Sequence, residues 1–513
     1  LDGYRLAVEN SYDVLVLAPG ARPVRPSLPG MDDPRVHVLR NVEDMDAIRR
    51  RVDAGAHAAI VIGGGYIGVE MAENLRHRGL EVDLVEMVDQ LMPPLDREMV
   101  APLEEHMSAR GVRLHLGTAA AAIRESPGGR ISAELKNGTV LTADFIVLAA
   151  GVRPESELAA AAGLAIGPRG GIVVDEHMRT SDPNIYAVGD VVEVPHAVLP
   201  GSWSVPLAGP ANRQGRIAAD HIAGRDSAYR AAQGTAIVKV FNMTAGGTGA
   251  TEKNLRAAGI EYRKVYLHPS GHAGYYPGSA PMHIKLIFSP RDGRILGAQV
   301  VGYDGVDKRL DVLATALRAG LTVFDLEHLE LAYAPPYGAA KDPINMAGFV
   351  ASNVLRGDVR FWYAEEFPEQ TDGALILDVR SPAEFESWHI PGARNLPLGE
   401  LRRRLGELDR DRPVRVYCKV GFRSYLAYRI LVQSGFRDVA TLAGGVTTFR
   451  CVHRAVAAEP EQRPVATLPY AEEQMEAPTP PAPSAPPREL DCTALQCPGP
   501  ILRLREMMDT MTL

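Results

Sequence analysis

Ala58-Ala59-Ile60-Val61-Ile62-Gly63-Gly64-Gly65-Tyr66-Ile67-Gly68-Val69-Glu70 is the stretch that decides the fold. Five apolar residues predict a short buried strand, and the run from Tyr66 to His77 has helical character. Between them Gly63, Gly65 and Gly68 stand in the order G-x-G-x-x-G, with a strand before and a helix after. The first glycine permits a tight turn, the second lets a pyrophosphate approach the backbone, and the third lets the helix pack closely on the strand. Amides at the helix start, those of Tyr66 and Ile67 among them, then meet the phosphates with the positive end of the helix dipole. A second strand over residues 81–85 runs into Glu86, about where a carboxylate takes a ribose 2′-hydroxyl. The same charge repels a 2′-phosphate, so NADH is expected in preference to NADPH.

Working outward, a chain of 513 residues with 46% hydrophobic residues and 49 glycines predicts several α/β domains, because it is too long for one core. The net charge of -8 argues against nucleic acid as the main partner. No uninterrupted apolar run reaches the roughly 18 residues of a membrane span, and no secretory signal is visible. All 4 cysteines lie at or after Cys418, too few and too clustered for a disulfide framework, which points to a reducing cytosol. None of their spacings suits zinc, and no metal site is expected.

Thr180-Ser181-Asp182-Pro183-Asn184-Ile185-Tyr186-Ala187-Val188-Gly189-Asp190 reads as a strand ending in Gly-Asp. It resembles the flavin-ribityl motif of the pyridine nucleotide-disulfide oxidoreductases. The resemblance implies an FAD flavoprotein, with Gly189 and Asp190 at the ribityl or pyrophosphate part. Ala149-Ala150-Gly151-Val152-Arg153-Pro154 resembles that family's crossover from the NAD lobe to the FAD lobe, which places Gly151 at the cofactor. Val205-Pro206-Leu207-Ala208-Gly209-Pro210 opens a helix. Its N-terminus, at Ala208, would face the flavin pyrimidine and stabilise negative charge on reduced flavin.

Gly271-His272-Ala273-Gly274-Tyr275-Tyr276-Pro277-Gly278 and Tyr333-Ala334-Pro335-Pro336-Tyr337-Gly338 resemble the interface domain of coenzyme A-disulfide reductases. That branch implies a homodimer in which Tyr333 and one of Tyr275 and Tyr276 reach the partner's active site. A phenol there donates a hydrogen bond to a substrate sulfur or an emerging thiolate. The family's first G-x-G-x-x-G and its redox cysteine do not occur in this sequence. They are expected upstream of Leu1. Tyr12-Asp13-Val14-Leu15-Val16-Leu17-Ala18-Pro19-Gly20 reads as a buried strand meeting a turn, whose neighbours the sequence does not supply, and the chain is read as truncated at both ends.

From Gly373 to about Phe449 the sequence resembles a single rhodanese domain. A strand over residues 374–380 leads to a Ser381-Pro382 helix cap, and His389-Ile390-Pro391-Gly392-Ala393 follows, with Trp388 where a glycine usually stands. Val416-Tyr417-Cys418-Lys419-Val420-Gly421-Phe422-Arg423-Ser424 then forms a loop whose amides turn toward the Cys418 sulfur, ahead of a helix expected from Tyr425. Those amides, the helix dipole, Lys419 and Arg423 favour a thiolate and equally a persulfide anion. The same cradle serves phosphatases, but those place arginine after a five-residue loop, and the flanking motif favours sulfur transfer.

Ala477-Pro478-Thr479-Pro480-Pro481-Ala482-Pro483 reads as a semi-rigid spacer. Beyond it Leu495-Gln496-Cys497-Pro498-Gly499-Pro500 resembles the start of a small sulfur-carrier family with a Cys-Pro-x-Pro motif, in which Cys497 would hold a persulfide. Cys451 and Cys492 have no such setting and are read as structural.

The expected architecture is an α/β multidomain chain. It comprises an FAD/NAD(P)-binding core of two dinucleotide folds, an α+β dimerisation domain, a rhodanese α/β domain and a fragment of a small α/β sulfur-carrier domain. The expected bounds are 1–50 and 153–231 for the FAD-binding segments, 51–152 for NAD and 232–353 for dimerisation. Those of the remainder are 361–455 for the rhodanese domain, 459–488 for the linker and 489–513 for the carrier fragment. The expected activity is NADH-dependent, FAD-dependent reduction of a persulfide, polysulfide or coenzyme A-linked disulfide, coupled to sulfurtransferase chemistry at Cys418 and onward carriage at Cys497. Sulfur-acceptor proteins are the expected partners. Two rival readings are an NADH oxidase or peroxidase flavoenzyme, and a non-reducing sulfur relay on a dimeric flavoprotein platform.

Overall fold

The computed structural model describes residues 12–453. Cys492, Cys497 and the proline-rich stretch lie outside the described residues.

The glycine motif sits in a five-stranded parallel sheet ordered Val36–Val38, Phe145–Leu148, Ala58–Ile62, Glu81–Glu86, Val112–Leu116. Every residue of Ala58–Ile62 is buried, as an apolar run between two neighbouring strands requires. Helix Tyr66–His77 buries Val69, Ala72 and Leu75 against that sheet. A three-stranded antiparallel sheet, Ala120–Ser126, Arg130–Leu135 and Val140–Ala143, completes this lobe.

The strand expected near Tyr12 forms, but as Leu15–Leu17 paired in parallel with Ile185–Ala187 alone. It is not the buried strand that its apolar residues suggest. Val14 and Val16 are exposed, because the described residues cover one face only, and Leu15 and Leu17 pack on that side.

Residues 236–355 build a five-stranded antiparallel sheet ordered Ala236–Val240, Met243–Gly249, Ile295–Gly302, Met282–Phe288, Arg263–Leu267. Helices Val306–Ala319 and Pro343–Leu355 close over it around Leu286, Val300, Leu313 and Ala347. The last sheet is parallel, ordered Phe361–Trp362, Val439–Leu442, Val414–Tyr417, Leu375–Asp378, Arg394–Asn395. Its Leu375–Asp378 strand is shorter than the expected 374–380. The chain leaves the sheet early because the Asp378 carboxylate accepts from the Arg380 backbone amide at 2.9 Å and pairs with the Arg380 guanidinium at 2.7 Å.

This last sheet is packed onto the rest of the chain. Ala443 joins the core of the first lobe, with Phe361 and Tyr363 beside it. Polar contacts seal the junction. The Tyr363 hydroxyl donates to the Lys264 carbonyl at 2.9 Å, and Lys264 pairs with Glu252 at 2.8 Å and with Glu365. Behind them the fully buried Lys285 ammonium meets Asp96 at 2.8 Å, Glu98 at 2.5 Å and Glu252. These three carboxylates are the one group of acidic, histidine or cysteine residues among the described residues close enough to hold a metal ion, and Lys285 occupies their centre. Among the described residues no helix is long and apolar enough to cross a membrane.

Candidate functional sites

Gly63 has φ +112, and a Cβ there would lie 2.2 Å from the Ala149 carbonyl oxygen, so only glycine fits the turn. A Cβ on Gly68 would fall 1.8 Å from the Gly63 carbonyl oxygen. Gly65 is different: nothing lies within 4 Å of a Cβ added there, and it caps the helix without a side-chain bond. It opens instead on a cavity of about 760 Å³ lined by Gly63, Tyr66, Ile67, Glu86, Gly151 and Asp190. Free helix amides at the rim of an open cavity are what a pyrophosphate requires.

Glu86 is buried at the cavity's edge and accepts the Gly64 amide at 2.6 Å and the Val88 amide at 3.0 Å. The two bonds fix the carboxylate and leave each oxygen a lone pair for a ribose hydroxyl. Asp190 faces the same cavity. It accepts no hydrogen bond from any described residue, and burial raises its carboxyl above the ordinary value. Its neighbour Gly189 has φ +86 and donates its amide to Gln214 Oε1 at 2.8 Å, which fixes the Gly-Asp turn. Helix Ala208–Ile222 begins at the cavity wall with no side-chain cap. The residues therefore fit a flavin ribityl chain at Asp190 and a nicotinamide dinucleotide on the glycine turn, while Ala208, expected at the pyrimidine, lines a neighbouring cavity of about 1000 Å³ that shares Tyr66 and Leu207 with the first.

Of the two tyrosines left open by sequence, the structure brings Tyr275 to Tyr333, with the hydroxyls 3.4 Å apart. Tyr276 turns away and packs edge-on against His272. Tyr275 is 77% exposed and Tyr333 49%, so both phenols stand on an open surface, and the shared hydrogen bond raises that of Tyr333. Their loops are stitched by the Ala273 amide donating to the Gly338 carbonyl at 2.8 Å. The buried Arg309–Asp342 pair at 2.9 Å holds the second loop to its helix.

Strand Val414–Tyr417 delivers Cys418 fully buried at its end. The following helix is Phe422–Gln433, three residues earlier than expected. Gly421, at φ +99, makes the sharp turn that lets the helix start at once. One loop amide reaches the sulfur: that of Gly421, 3.2 Å from Sγ. Lys419 is exposed, and its ammonium bonds no described residue, whereas its carbonyl accepts from the Thr447 amide at 3.0 Å. Arg423 is held beside the loop by both oxygens of Glu384, at 2.7 Å each. The Arg423 guanidinium brings the Glu384 carboxyl down to about 2. Sequence reading passed over Glu384, although Ser381 and Glu384 stand at the spacing of a helix capping box. Cys451 lies on helix Gly445–Val452, half-buried.

A dinucleotide cavity, a flavin-type Gly-Asp turn and a cradled cysteine define a flavin- and nicotinamide-dependent oxidoreductase joined to a sulfur-transfer domain. Comparison with known proteins agrees. The pyridine nucleotide-disulphide oxidoreductase model matches residues 6–215, its dimerisation domain residues 235–342, and the rhodanese-like domain residues 363–450. A coenzyme A disulfide reductase of Staphylococcus aureus is 37% identical over 347 residues, which are 67% of this chain and 76% of that protein. The crystal structure of reduced Bacillus anthracis CoADR-RHD superposes with a TM-score of 0.84 at 47% identity, covering 87% of this chain and 80% of that one. A NAD-dependent persulfide reductase from A. fulgidus gives 0.80 at 40% identity, covering 85% and 80%. The chain belongs to the pyridine nucleotide-disulphide oxidoreductase family and carries a rhodanese-like domain.

Proposed function

We propose that the protein reduces sulfur–sulfur bonds of persulfides, polysulfides or coenzyme A-linked disulfides with NADH, and that Cys418 moves sulfane sulfur. The observation that carries this reading is the coexistence, in one packed chain, of the dinucleotide cavity and the Cys418 cradle. Relatives named for coenzyme A disulfide and persulfide reduction support the substrate class. For a persulfide the balance is NADH + H⁺ + R–S–S–H giving NAD⁺ + R–SH + H₂S.

Bound FAD supplies the two-electron link between nicotinamide and sulfur. Gly63, Gly65 and Gly68, with the amides of Tyr66 and Ile67, seat the pyrophosphate of NADH, and Glu86 takes the ribose hydroxyls. Glu86 disfavours the 2′-phosphate of NADPH. Gly151, Gly189, Asp190 and Ala208 hold the flavin. Tyr275 and Tyr333, presented outward to the active site of a partner subunit, donate hydrogen bonds to the departing thiolate. The dimerisation domain supports a homodimer.

At the second centre the Cys418 thiolate attacks the outer sulfur of a donor R–S–S⁻ group. The donor S–S bond breaks, R–S⁻ leaves, and Cys418 carries S–S⁻. The Gly421 amide and Arg423 stabilise that anion. Cys497 then receives the sulfane sulfur and passes it to an acceptor protein.

The test is an anaerobic NADH titration of the complete natural protein with a glutathione or coenzyme A persulfide. NADH loss matched by sulfide release supports the reading. A reduced flavin that no persulfide or disulfide reoxidises overturns it.

A further inference from the structure

The Cys418 cradle does not rest on its own domain alone. Helix Gly445–Val452 backs it directly: the Val446 amide donates to the Cys418 carbonyl at 2.9 Å and the Thr447 amide to the Lys419 carbonyl at 3.0 Å. There is no slack in this contact. A Cβ on Gly445 would lie 2.4 Å from the Cys418 carbonyl oxygen, and one on Gly444 would lie 2.9 Å from the Tyr266 Cβ of the dimerisation sheet. On the helix's next position, Thr448 Oγ1 lies 2.9 Å from His268 Nε2. His268 immediately follows strand Arg263–Leu267 of the dimerisation sheet, and its Nδ1 lies 2.7 Å from Nδ1 of His283 on the neighbouring strand Met282–Phe288.

We propose that His268 is a positioning residue for the Cys418 loop, acting from the dimerisation domain through Thr448 and the first turn of helix Gly445–Val452. The proposal rests on the sulfur-transfer role of Cys418 given above.

The two imidazoles stay paired as long as at least one of them is neutral and can accept at Nδ1. One Nδ1–H then donates to the other Nδ1. Burial lowers both, His283 to about 4 and His268 well below the ordinary imidazole value, with the neighbouring ring adding to the effect at His268. His268 also touches the Gly444 backbone, and among the described residues no charged side chain is bonded to either ring. With His283 fixing the ring, His268 presents Nε2 to Thr448 in one orientation. Thr448, Thr447 and Val446 follow one another in a single helical turn, so that bond sets where the helix start meets Cys418. The same His268 opens the segment that continues to Tyr275.

A double-mutant cycle in the full protein tests this. Thr448→Val keeps the shape and removes the hydroxyl, and His268→Phe removes the other end. Each is expected to lower kcat for thiosulfate-to-cyanide transfer about fivefold with KM unchanged, the worth of one net hydrogen bond. The double variant is expected to be no slower than either single one, and Thr448→Ser is expected to match the natural protein. The rate of Cys418 alkylation, followed by mass spectrometry, is expected to shift in the same three variants. Losses that multiply toward about 25-fold, or a Thr448→Val variant with natural kcat and alkylation, overturn the proposal. If the natural protein transfers no sulfur yet the alkylation pattern holds, the function fails and the positioning role stands. Thr448→Val and Thr448→Ser decide the matter alone if His268→Phe does not fold.

Discussion

Arg423 grips both oxygens of Glu384 at 2.7 Å each, and Glu384 in turn accepts the Ser381 amide at 3.0 Å. The helix cap of one βα unit is therefore also the clamp on the cation beside Cys418. The Glu384→Gln variant keeps the size and loses the charge. It is expected to lower thiosulfate-to-cyanide kcat about tenfold, since charge-assisted hydrogen bonds carry about 1.5–3 kcal/mol, while NADH binding is unchanged.

The same pair sets an acid limit. The Glu384 carboxyl falls from 4.5 to about 2 on folding, so its contribution is present above pH 4.5 and is lost as pH falls through about 2. Thermal unfolding between pH 5 and pH 2 should show the natural protein losing more stability than Glu384→Gln over that window. Parallel curves would remove Glu384 from the account.

Cys418→Ser is expected to abolish sulfur transfer and to leave NADH-driven flavin bleaching as it is, because the dinucleotide cavity shares no residue with the Cys418 loop. Stopped-flow spectra and a cyanide assay on the same preparation separate the two activities.

Gly63→Ala forces a side chain into φ +112 and onto the Ala149 carbonyl 2.2 Å away. A loss of about 2–4 kcal/mol in stability, with weaker binding of NADH by calorimetry, is expected.

Lys285 is fully buried among three carboxylates, and a neutral Lys285→Met leaves them facing one another. The expected cost is about 3–5 kcal/mol, read from chemical denaturation.

The parts of this molecule legible in its sequence are those whose chemistry is local. The strand–glycine–helix order around Gly63 fixes one βαβ unit within about thirty residues, and the structure reproduces its strand and helix bounds. The Cys418 loop was legible for the same reason, although Gly421 starts the helix earlier than the pattern suggested. What sequence could not show is contact between distant segments. Tyr275 and Tyr276 are adjacent and alike, and only the packing of the 333–338 loop selects Tyr275. The bond from His268 to Thr448 spans 180 residues and leaves no periodicity or motif behind. The strand Leu15–Leu17 reads as buried because all three of its residues and the preceding Val14 are valine or leucine, but burial is set by neighbours that hydropathy does not name.

The central claim is that one protein couples NADH oxidation to the breaking of a sulfur–sulfur bond. Anaerobic mixing of the complete natural protein with NADH and coenzyme A persulfide measures it most directly. The account predicts one sulfide released for each NADH consumed, a rate lowered about tenfold or more in Tyr275→Phe/Tyr333→Phe, and sulfide release that persists in Cys418→Ser. NADH consumption that requires oxygen and releases no sulfide would contradict it.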